Sequence, residues 1–99
     1  MKRLWVAVCE IEVEPGDLPS GSTVAFSNVV TRGESPAEIS TKISAYLRAF
    51  NWRLMSCESV RPIGGGRSYG DELNDLVERA ELHPDPILLG RMYSYRPNE

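Results

Sequence analysis

An α+β fold is expected for this chain, a two-layer sandwich of one four-stranded sheet and two helices in the order β-β-α-β-α-β. Three features point to it. Two early segments, Leu4–Val13 and Thr23–Thr31, are rich in β-branched and apolar residues. Two later segments repeat apolar residues every three or four positions, each along a single stripe. At 99 residues, 41% hydrophobic and 25% charged, the composition is that of one globular domain covering residues 1–99.

The first strand, Leu4–Val13, carries Trp5, Ala7, Cys9, Ile11 and Val13 on one face. Period-two alternation turns that face to the core. The other face begins with Leu4, Val6 and Val8 and ends in Glu10, Glu12 and Glu14. Glu14–Ser22, dense in Pro, Gly, Asp and Ser, reverses the chain. Thr23–Thr31 then returns as the second strand. Pairing Val13 with Val24 sets Ile11 beside Phe26, Cys9 beside Asn28, Ala7 beside Val30 and Trp5 beside Arg32. This groups the large apolar side chains on one face, whereas a slip of one residue would expose Phe26. The opposite face then holds Leu4, Val6, Val8, Ala25 and Val29.

The first helix is announced by Ser35-Pro36-Ala37-Glu38, a capping box with proline at the first helical position. Ile39, Ile43, Tyr46, Leu47 and Phe50 form its apolar stripe, and Asn51 suits a left-handed terminus. Trp52–Val60 resumes as a strand that Pro62 ends. Residues 63–70 are a glycine-rich connection. Asp71–Leu82 is the second helix, with Leu73, Leu76, Val77 and Ala80 inward and Asp75 and Arg79 paired outside. His83-Pro84-Asp85-Pro86 stops it. Ile87–Tyr95 is the last strand. The strand–helix–strand steps favour crossovers that would make the sheet mixed.

Eleven basic and fourteen acidic residues leave a net charge of −3. A mildly acidic chain repels a phosphate backbone, so nucleic acid is not an expected partner. No apolar run approaches membrane-spanning length, and no membrane association is expected. Cys9 and Cys57 are not spaced as a CxxC pair, and the one histidine, His83, cannot complete a zinc set with them. They are expected as buried free thiols in a reducing, cytoplasmic setting. A bridge between them requires their strands to be neighbours, which the sequence leaves open.

No catalytic residue, metal ligand or cofactor is assigned. Glu10, Glu12 and Glu14 sit about 6–7 Å apart along one strand and read as a solvated edge rather than a cation site. His83 at a helix end reads as structural or exposed. Trp5, Trp52, Tyr93 and Tyr95 with Arg32, Arg53, Arg91 and Arg96 read as packing and protein contacts rather than a single-strand platform.

The leading expectation is a small non-catalytic interaction or regulatory domain. It self-associates as a dimer through Leu4, Val6, Val8, Ala25 and Val29, or receives one protein partner. Two helices on one side would leave that second face in need of a cover. The alternative is a small ligand- or anion-binding domain, or small enzyme. It would use the 61–70 loop, with Arg61, Gly64, Gly65, Gly66, Arg67 and Tyr69 around the ligand.

Overall fold

The structure, a computed structural model, describes residues 3–18, 21–63, 70–83 and 86–94. Its elements are β1 (Arg3–Glu12), β2 (Val24–Gly33), α1 (Pro36–Arg48), β3 (Arg53–Pro62), α2 (Asp71–Glu81), β4 (Ile87–Leu89) and β5 (Tyr93–Ser94). The α+β class and the order β-β-α-β-α-β are those expected, with the last strand broken in two. Gly90 interrupts it, donating its N–H to Asn28 O at 2.7 Å before β5 rejoins β2.

The sheet runs β3-β1-β2-β4, and β5 also pairs with β2. Each of these pairings is antiparallel. The mixed sheet is therefore not formed. The crossover from β2 through α1 to β3 passes over β1. Strands β2 and β3 run the same way but are separated by β1, so no parallel pair results.

The helices lie on opposite faces of the sheet, which makes three layers where two were expected. On the first face, Ile39, Ile43 and Leu47 of α1 pack on Trp5, Ala7, Cys9, Ile11, Ala25 and Val29. On the second, Leu73, Leu76 and Ala80 of α2 pack on Val6 and Val30, with Leu4, Ile63 and Leu88 at the margin. Val6, with Leu4 at the margin, is covered by the chain's own second helix, while Val8 is not part of that core. Removing that surface from water is what holds α2 in place.

The β1–β2 register differs by one residue from the expected one. Trp5 lies opposite Thr31, Ala7 opposite Val29, Cys9 opposite Ser27 and Ile11 opposite Ala25. The small side chains of β2 thus face α1, while Phe26 turns to the second face. This register is tolerable because the two buried hydroxyls find acceptors. Thr31 Oγ1 donates to Pro86 O at 2.6 Å, and Ser27 Oγ reaches Gly90 O at 3.3 Å and Asn28 O at 3.2 Å. Unsatisfied, each would cost about 1–3 kcal/mol. Close approach of α1 is also built into Gly33, where an added Cβ would come 2.6 Å from Ile39 Cδ1.

Helix α1 starts as its residues dictate. Ser35 is extended and its side chain accepts from the Glu38 N–H at 3.2 Å. The Glu38 carboxylate accepts the N–H of Glu34 at 3.0 Å, one residue before the reciprocal partner of an ideal capping box. Asn51, just beyond the helix, has φ 61°, the left-handed conformation expected of it. Asp75 and Arg79 pair on the outside of α2 at 3.5 Å.

Candidate functional site

Helix α2 is only eleven residues long and covers one end of the second face. The ladder register places the uncovered remainder in three rows. Glu58, Val8 and Asn28 form the first, Ser56, Glu10, Phe26 and Tyr93 the second, and Arg53, Glu12 and Val24 the third. Directly paired residues of antiparallel strands point to the same side, so these side chains share one surface. Val8, Val24 and Phe26 are half-buried, and Tyr93 is 50% exposed. Glu10, Glu12 and Glu58 stand along the β1 and β3 side of these apolar residues, with Glu12 held by Arg53 Nη2 at 2.9 Å.

The boundary between covered and open halves is a polar cluster about Glu72, in the first turn of α2. Its Oε2 accepts the Tyr93 hydroxyl at 2.8 Å and its Oε1 the Arg91 N–H at 3.0 Å. The hydrogen bond from Tyr93 is the main cause that holds the Glu72 carboxyl below its usual range. Desolvation opposes it, and the Arg91 N–H, the Asn28 side chain and the Arg91 charge add smaller effects in the lowering direction. The same bond pushes the Tyr93 phenol up, because ionising it would place two anions together. Gly90 makes this approach feasible, since a Cβ there would run into Glu72 Oε1. The cluster ties α2 to the β4–β5 segment and fixes the orientation of the Tyr93 ring.

The residues expected to form one docking face do not share one. Val6 is 2% exposed beneath α2, while Ala25 and Val29 are fully buried on the opposite face beneath α1. Leu4 lies at the margin of the α2 core, and Val8 is on the open half. The one-residue change of register is the reason: it carries Ala25 and Val29 to the other side of the sheet. Of the large apolar residues of the open half, Tyr93 is among the aromatic residues that the sequence offers for packing and protein contacts, whereas Phe26 is not among the expected interface residues. The expected register places Phe26 in the core. The signal that locates it is the spacing Val24, Phe26, Asn28, which alternates with the small residues Ala25, Ser27 and Val29.

Gly64, Gly65, Gly66, Arg67 and Tyr69 lie outside the described residues. Arg61 is exposed on β3 opposite Val6. At the opposite edge of the sheet, α2 and the β4 segment bound a groove open to solvent, lined by Asp75, Leu76, Arg79, Leu89 and Arg91. Among the described residues, no group of three or more His, Cys, Asp and Glu is placed to hold a metal ion. No described helix is long and apolar enough to cross a membrane.

The aromatic and basic residues do not form a common platform. Trp5 is buried, donating Nε1–H to Gly33 O at 2.8 Å. Trp52 instead stacks against Phe50, with ring centroids 5.2 Å apart, and donates to Asp17 Oδ2 at 2.7 Å. Tyr95 and Arg96 lie outside the described residues.

The free edge of β3 is a poorer docking site than the open face. It bears Arg53, Glu58, Arg61 and Pro62. Its ladder with β1 is irregular between Val6 and Val8 and again between Glu10 and Ile11, and Ser59 has φ 53°. Charges and bulges of this kind guard an edge against a further strand. No protein-family model, curated protein or solved structure matches the chain.

Proposed function

We propose that this chain is a non-catalytic protein-interaction domain that receives one partner protein on the open half of its second sheet face. The observation that carries the reading is a group of partly exposed apolar side chains, Val8, Val24, Phe26 and Tyr93, with the carboxylates of Glu10, Glu12 and Glu58 as a rim along its β1–β3 side. An apolar centre within a charged rim is the general anatomy of a recognition surface. The sign of the rim selects a partner that brings arginine or lysine beside bulky apolar side chains. A second copy of this chain would instead bring its own carboxylates against these, which disfavours the face-to-face dimer. A cytoplasmic location goes with this reading, since the two cysteines are not part of a disulfide-dense framework.

Selection of displayed random peptides on the immobilised protein tests the proposal. Enriched peptides should be basic with an aromatic or large aliphatic residue. Their binding should weaken at least tenfold in Glu10→Lys/Glu58→Lys, a surface variant expected to melt as the parent does. Enrichment of neutral or acidic peptides, or binding indifferent to the charge reversal, would overturn it. So would a stable dimer that buries Phe26.

A further inference from the structure

We infer that Cys9 and Cys57 are a reversible redox pair that closes into a cross-strand disulfide between β1 and β3 in the folded protein. The two residues are direct partners in the antiparallel ladder, and their sulfurs stand 3.5 Å apart on the first face of the sheet. Direct antiparallel partners have Cα atoms about 4.5–5.5 Å apart, inside the roughly 4.4–6.8 Å a disulfide spans. Closing the bond to about 2.05 Å therefore asks for side-chain rotation and little of the backbone.

The pair is asymmetric. Cys9 is fully buried in the central strand, and Cys57 is partly accessible on the edge strand. Cys57 is thus the entry point. Its thiol loses a proton to solvent, and the thiolate attacks one sulfur of a low-molecular-weight disulfide. The reagent's S–S bond breaks and one thiolate leaves. Cys9 then loses its proton and attacks the Cys57 sulfur, expelling the second thiolate. Two protein thiols are oxidised, and one external disulfide is reduced to two thiols. Burial pushes the Cys9 thiol well above its ordinary range, which makes the second step the slow one at neutral pH.

The position of the pair gives the bond a structural consequence. Cys9 and Cys57 lie in the short regular stretch of the β1–β3 ladder between its two irregularities. A bridge there pins the register of the edge strand and constrains a pair 48 positions apart in sequence.

The test equilibrates the native protein in mixtures of reduced and oxidised glutathione, quenches with acid, alkylates and reads the intact mass. The expected result is one species lighter by two hydrogens, both thiols vanishing together. The effective concentration of the pair should be at least tenfold higher in native buffer than in denaturing guanidinium, because a bond that fits the native state stabilises it. Cys9→Ser should stop at a glutathione adduct on Cys57. The inference is overturned if both cysteines stay alkylatable under full oxidation, if the parent stops at the adduct, or if the ratio is below tenfold. None of these readouts depends on the partner surface proposed above.

Discussion

Glu72 shows how much one side chain can organise on a small surface. A single carboxylate accepts from Tyr93 and Arg91, and the glycine at position 90 is what lets it come so close. Its pKa is lowered in the folded state, so its contribution to stability is present above the unfolded value, about 4.3, and is lost as pH falls through the folded value. The stability of the parent should therefore decline more steeply than that of Glu72→Gln below about pH 4.5. Because the group is largely exposed, the effect is screened and small. Denaturant midpoints at pH 7 and pH 3 measure the difference, and parallel curves would contradict the assigned bonds. Tyr93, whose pKa is raised, acts in the opposite sense: its contribution persists below about pH 10 and is lost as pH rises through the folded value.

The two helices differ in how firmly they are held. Helix α1 has a side-chain cap and three fully buried residues, Ile39, Ile43 and Leu47. Helix α2 follows Gly70, which supplies no side-chain cap, and it packs through Leu73, Leu76 and Ala80 against the smaller of the two cores. Amide exchange should accordingly open α2 at lower free energy than α1. Leu76, 3% exposed, is the residue that decides it. Leu76→Ala should cost about 2–4 kcal/mol and speed exchange in α2 more than in α1. Ser35→Ala should cost about 1 kcal/mol and act on α1 alone. Uniform exchange across both helices would contradict this division.

This element scale also marks how far the residues alone led. Caps, stripes and breakers located α1, α2 and the first three strands to within a residue or two, because such signals are local. The register between β1 and β2 was not local. Grouping the largest side chains on one face is a sound rule when a single layer of helices must cover them. Here two layers share the work, and the small residues Ala25, Ser27, Val29 and Thr31 face α1. Their buried hydroxyls are acceptable only because Pro86 and Gly90, some sixty positions away in sequence, supply carbonyls.

For the whole molecule, the placement of one helix on each face changes what exposed surface remains. Val6 and Val29, which the sequence alone places at an interface, are interior residues on opposite sides of the sheet. Val29→Asp should destabilise by about 4 kcal/mol or more, since it buries an unpaired carboxylate, and should leave the molecular mass in solution unchanged. The parent itself should sediment as one 11.1 kDa species at micromolar concentration, given the carboxylates on its open face and the guarded edge of β3. A concentration-dependent dimer would argue against the partner surface as drawn.

What the residues determined by themselves was the α+β class, the order of elements and the apolar second side of β1. Each follows from spacing along a single strand or helix, where neighbours in sequence are neighbours in space. Only the tertiary structure decided which helix covers which face, which half of the second face stays open, and that Cys9 meets Cys57. Those outcomes rest on contacts between segments far apart in the chain, and no local periodicity encodes the choice between two sides of a sheet.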